Sequence, residues 1–142
     1  DMGPAQNSFD DLSEFLSRYP ESKYAPHAKQ RMIYLRNLMA KHEMYIADFY
    51  MKRGAYLAAL GRAKYVIEHI PNTPQTPFAL SVLVEAYEKL DYQELKQSNL
   101  EVLKSNFPEF AIKVDPTSGK RSWVNVISLG VFGDKGIPAP DD

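Results

Sequence analysis

Two arginines in one short stretch have the surroundings that a charged contact needs. Arg62 follows Gly61 directly and stands two positions past the apolar Leu60. Gly61 has no side chain, so another backbone or a partner can come close beside it. An arginine next to such a gap can fork onto a carboxylate with two parallel N–H donors. Arg53 lies just before Gly54, at what reads as a hairpin turn, and has a similar opportunity. A solvated arginine is the commoner condition at either place, and the residues alone leave both readings open. Other chemistry is thinner. His27, His42 and His69 have no metal-ligand spacing and form no HExxH. No nucleophile elbow surrounds a serine, and no glycine-rich loop is present to cradle phosphate. The many tyrosines would suit a cofactor pocket, but at helical spacing they read as packing. The sequence therefore predicts no catalytic residue, no metal site and no cofactor.

The stretch that must position these arginines runs from Ala40 to Thr73 and reads as a helical hairpin. Its first arm carries Tyr45, Ile46, Phe49 and Tyr50 on one expected face, with Ala47 small beside them. Gly54 suits the left-handed angles that end a helix. The second arm has the stripe Tyr56, Ala59, Leu60, Ala63, Val66, Ile67 and Ile70, and Pro71 stops it. Asn72 and Thr73 are expected to cap the next helix. The positions of Ala47, Tyr50, Gly54, Tyr56, Ala59 and Pro71 match the tetratricopeptide repeat, a helix-turn-helix of about 34 residues. One such hairpin cannot bury both of its faces, so neighbours must stack on it.

The rest of the chain supplies those neighbours. Residues 1–20 read as a polar lead-in and a helix with Phe9, Leu12, Phe15, Leu16 and Tyr19 as its stripe, stopped by Pro20. Residues 24–53 hold no Gly or Pro beyond Pro26 until the turn, which predicts either one helix of about 28 residues or two broken near Lys41. The interval from Pro20 to Pro71 is 51 positions, against 37 from Pro71 to Pro108. A long helix shared by two adjacent hairpins accounts for the excess. Residues 74–90 and 92–106 give another pair, with Phe78, Leu80, Leu83, Val84, Tyr87 and Leu90 facing Leu95, Leu100, Val102 and Leu103. Counting back from each proline aligns Leu12, Ala63 and Leu100, and then Phe15, Val66 and Leu103. The fold expectation is all-α: five or six helices as tetratricopeptide-like hairpin repeats in an α-solenoid over 1–108, then an irregular tail over 109–142. The tail contains an apolar island from Trp123 to Phe132, expected either to cover the last helix or to dock on a partner or membrane surface.

Composition narrows the class of function. The 142 residues carry a formal net charge of -1, which argues against nucleic acid as the main partner. Cysteine is absent, so disulfides, thiol catalysis and thiolate metal sites are excluded. No run of about 18 apolar residues occurs to span a bilayer as a helix. No signal peptide is visible at Asp1, and the chain opens as though an upstream part preceded it.

Taken jointly, these residues resemble the BamD (ComL) family of outer-membrane assembly lipoproteins, in its C-terminal half. The resemblance covers about residues 8–108. It is carried by Tyr19-Pro20-Glu21-Ser22, by Lys41-His42-Glu43 ahead of Ala47 and Tyr50, by Arg53-Gly54-Ala55-Tyr56, by the Arg62 helix and by the exit Pro71–Thr73. It implies a non-enzymatic helical scaffold at the periplasmic face of the bacterial outer membrane, part of the BAM machinery that folds β-barrels. It implies a grip on the membrane-proximal POTRA domain of BamA, with an arginine at the place of Arg62 pairing with an acidic residue there. Arg62, Arg53 and Phe49 are thus the candidate partner-binding residues, and other BAM accessory lipoproteins are expected along the same scaffold. Anchoring and substrate recognition belong in that family to an N-terminal half and a lipidated cysteine, neither of which these 142 residues contain. The alternative is a generic tetratricopeptide module for a client or chaperone peptide. Such a groove would carry clustered Lys and Asn, and no clear cluster is seen.

Overall fold

In the computed structural model, which describes residues 1–113, the described chain is six helices and no strand. They are α1 (Gly3–Arg18), α2 (Ala25–Lys52), α3 (Tyr56–His69), α4 (Thr76–Lys89), α5 (Gln93–Asn106) and α6 (Pro108–Lys113). Each helix packs mainly on the next in sequence, with a smaller α2–α4 contact. The result is the stacked-hairpin solenoid that the periodicity predicts. The tail from residue 114, with its Trp123–Phe132 island, lies outside the described residues. Helix continues past Pro108 to Lys113, into the stretch read from sequence as tail.

Local chemistry fixes the helix ends. Tyr19, Ile70 and Phe107 each precede a proline, which disfavours helical backbone at that residue. All three adopt nearly one conformation, with φ/ψ of -130/58, -128/48 and -136/60. Each donates its N–H to the carbonyl four residues back, on Phe15, Val66 and Leu103. The repeat alignment counted from the prolines is therefore a repeat of backbone geometry. The ends of α2 and α4 use left-handed residues, Gly54 and Asp91. Gly54 has φ +72, and the N–H groups of Gly54 and Ala55 return to the carbonyls of Met51 and Tyr50. That pair of bonds is a Schellman ending.

α2 is continuous over 28 residues, roughly 42 Å at 1.5 Å per residue. It serves two hairpins: α1 pairs with its first half and α3 with its second. Met39, Ala40, Met44, Ala47 and Met51 form its buried ridge, inside a cluster with Ala59, Leu60, Ala63, Val66, Ile70, Ala79, Val82 and Leu83. Ala40, Ala47, Ala59 and Ala63 are fully covered, which lets the helix axes approach closely. Arg36, midway along α2, donates from Nη2 to the carbonyl of Pro71 and ties the helix to the α3–α4 turn.

Three sequence expectations need correction. The face of α2 expected to be core is rotated: Tyr45 and Phe49 are 60% and 47% exposed, while Met44, Ala47 and Met51 are buried. Helices on more than one side of α2 select the slimmer ridge, and the aromatics stay outside. Asn72 and Thr73 do not cap α4, which starts at Thr76. Asn72 instead turns the chain with φ +59, and Thr73 donates its N–H to Thr76 Oγ1 at 3.2 Å. On α5, Leu100 and Leu103 are buried but Leu95 and Val102 remain largely exposed.

Candidate partner-binding site

The hairpin of α2 and α3 brings the expected residues onto one wall. Arg53 is the C-terminal cap of α2, where a cation faces the negative end of the helix dipole. Its guanidinium lies over the ring of Phe49, 4.4 Å from the centroid. Phe49 is one turn earlier in the helix, so the pair follows from i, i+4 spacing. Phe49 in turn meets Tyr50 edge-on, with centroids 5.8 Å apart and planes at 68°.

Tyr50 faces the third expected residue. With Glu43 of α2 and Ala58, Gly61, Arg62 and Tyr65 of α3, it lines an open groove of about 590 Å³. A methyl group added at Gly61 would meet nothing within 4 Å. The missing side chain is therefore no demand of internal packing, and it leaves the groove floor bare. Arg62 is not walled in: its side chain is 43% exposed. Nη1 of Arg62 donates to Oε2 of Glu43 at 3.1 Å.

That hydrogen bond is the main reason the Arg62 guanidinium sits above its ordinary pKa. Partial burial opposes the rise, and the charge of Glu43 and a weaker hydrogen bond to Tyr50 add to it. Arg62 is thus a fixed cation held chiefly by Glu43, with a lesser hydrogen bond to Tyr50, and the rest of its fork remains for a planar acceptor. Beside it, Tyr65 stacks on His69 with centroids 4.6 Å apart, which extends the wall along α3.

Arg53, Phe49, Tyr50 and Arg62 are therefore linked by successive contacts, with Tyr50 between the Phe49–Arg53 pair and Arg62. Sequence reasoning did not single out Glu43 as a site residue. A signal existed in the repeat. The position 37 residues on from Glu43 is Leu80, and the position 37 on from Arg62 is Asn99. An acid stands where the next hairpin has an apolar residue, and a base stands opposite it. Among the described residues no group of three or more His, Asp or Glu converges to hold a metal ion. No described helix is long and apolar enough to cross a membrane.

Comparison with known proteins yields one consistent group. The family described as YfiO, outer membrane lipoprotein, matches residues 1–103. The outer membrane protein assembly factor BamD of Xylella fastidiosa strain Temecula1 is 38% identical over 109 residues, covering 77% of this chain and 37% of that protein. The factor of the same name from Neisseria gonorrhoeae is 40% identical over 111 residues, with 77% and 42% covered. That of Caulobacter vibrioides is 38% identical over 108 residues, with 76% and 35% covered. The chain spans well under half the length of each of these relatives.

Proposed function

We propose that this chain, which belongs to the YfiO family of outer membrane lipoproteins, is a non-enzymatic scaffold in outer-membrane protein assembly. It holds the POTRA region of BamA on the α2–α3 wall, at the periplasmic face of the outer membrane. The relatives are named as assembly factors, and the family likeness extends over the hairpin that builds the wall. The observation that carries the reading is Arg62: a half-exposed, permanently charged fork on the rim of an open groove with a bare glycine floor. A carboxylate on the partner completes the fork. Phe49 and Arg53 supply a flat apolar and cationic shoulder beside it, of the kind enriched where proteins meet. Other accessory lipoproteins of the machine use the remaining outer faces of the scaffold.

Capture of the isolated membrane-proximal POTRA domain by the purified chain tests this. Wild type retains it. Arg62→Glu places like charges together and leaves the partner acid unpaired, a loss of at least about 3 kcal/mol, or more than ~100-fold. Capture unchanged by Arg62→Glu would remove the site assignment.

A further inference from the structure

Arg62 and Glu43 share their ion pair unequally. The Arg62 side chain is 43% exposed and the Glu43 side chain 16%. One end of the pair is set into the wall, and the other reaches the groove. The repeat shows what the wall itself requires at the inner end. Leu80, at the matching place in α4, is buried with Leu103 and packed by Ile67, Phe107 and Phe110. An apolar side chain therefore suits that place. A carboxylate there loses hydration and needs a charge-assisted hydrogen bond to offset the cost. Glu43 gets that bond from Arg62 Nη1.

We propose that Glu43 is a positioning residue for Arg62. With a weaker hydrogen bond to Tyr50 beside it, it pins one edge of the guanidinium to the wall and leaves the rest of the fork, on the groove rim, for a partner carboxylate. The proposal rests on reading the groove as the POTRA-binding site. Its physical content is entropic. A free arginine has several rotatable bonds to immobilise when it binds, and an arginine already held by Glu43 has fewer. A role for Glu43 as a mere competitor for Arg62 makes the opposite forecast, since its removal would free the cation.

The test is surface-immobilised POTRA domain with the full chain in solution, reading association and dissociation rates separately. The variants are Glu43→Leu, Glu43→Gln, Arg62→Ala and the Glu43→Leu/Arg62→Ala double. Glu43→Leu borrows the residue of the next repeat and is expected to keep the helical signal and melting temperature. It should dissociate roughly three- to ten-fold faster. Association should be unchanged or faster, because a negative charge is gone from the approach path. In the Arg62→Ala background, Glu43→Leu should have no further effect on the dissociation rate. If Glu43→Leu does not fold, Glu43→Gln, which keeps the shape and loses the charge, carries the same forecast. Binding by the Glu43 variants as tight as wild type, or tighter, overturns the proposal and leaves the groove reading standing. So does a loss that persists undiminished without Arg62. Wild-type binding by Arg62→Ala removes the groove reading and this proposal with it.

Discussion

Gly54 and Asp91 occupy the same left-handed corner in successive hairpins, with φ of +72 and +61. The match extends to the hydrogen bonds. Ala55 N–H returns to Tyr50 carbonyl, and Tyr92 N–H returns to Tyr87 carbonyl, each at 2.9 Å. Two aromatic residues 37 positions apart thus close identical turns, one with a glycine at the corner and one with an aspartate. A left-handed aspartate is tolerated but strained relative to glycine.

Exchange at the two corners should therefore have opposite signs. Asp91→Gly is expected to stabilise the chain by about 0.5 kcal/mol, the relief being reduced by lost stiffness in the unfolded chain and by the exposed Gln93–Asp91 hydrogen bond. Gly54→Ala is expected to cost about 1–2 kcal/mol. Urea unfolding followed by helical circular dichroism gives both values. Equal effects at the two corners would mean that the turns are not equivalent.

Much of this architecture can be read from prolines and glycines, because their constraints act within one or two residues. Pro20, Pro71 and Pro108 locate three helix ends, and Gly54 locates a fourth. What sequence leaves open is decided between helices. Whether residues 24–53 form one rod or two depends on α1 and α3 docking along the same helix, which no local pattern records. The outward placement of Tyr45 and Phe49 depends on how many helices surround α2. The Glu43–Arg62 pair joins residues 19 apart, and only the register of the closed hairpin sets them face to face. The mismatch with Leu80 was visible, but its meaning required the groove.

Gly61 separates stability from binding in one substitution. It sits inside α3, where glycine costs about 1 kcal/mol relative to alanine, and a methyl group there meets nothing. Gly61→Ala should raise stability by about 0.5–1 kcal/mol, seen as a higher urea midpoint. On the groove reading the same methyl group stands where the partner comes closest, so affinity for the POTRA domain should fall several-fold. A variant both more stable and equally tight would show that the bare floor is not used.

The last prediction concerns how far damage spreads along the stack. Leu103 is fully buried, and among the described residues its cluster joins α4, α5 and α6 and reaches α3 through Ile67. The larger cluster that builds the Arg62 wall draws on α1 to α4. Leu103→Ala removes buried methyl groups and leaves a cavity, at a cost of about 2–4 kcal/mol. In a linear array that cost falls on nearest-neighbour terms. Amide hydrogen exchange should therefore accelerate strongly in α5 and α6, while α2 and α3 keep most of their protection. On the groove reading, capture of the POTRA domain should persist, because Arg62, Glu43 and Gly61 lie in the protected part. Uniform loss of protection from α1 to α6 would instead mean that the helices unfold as one unit, and the wall could not outlast its neighbours.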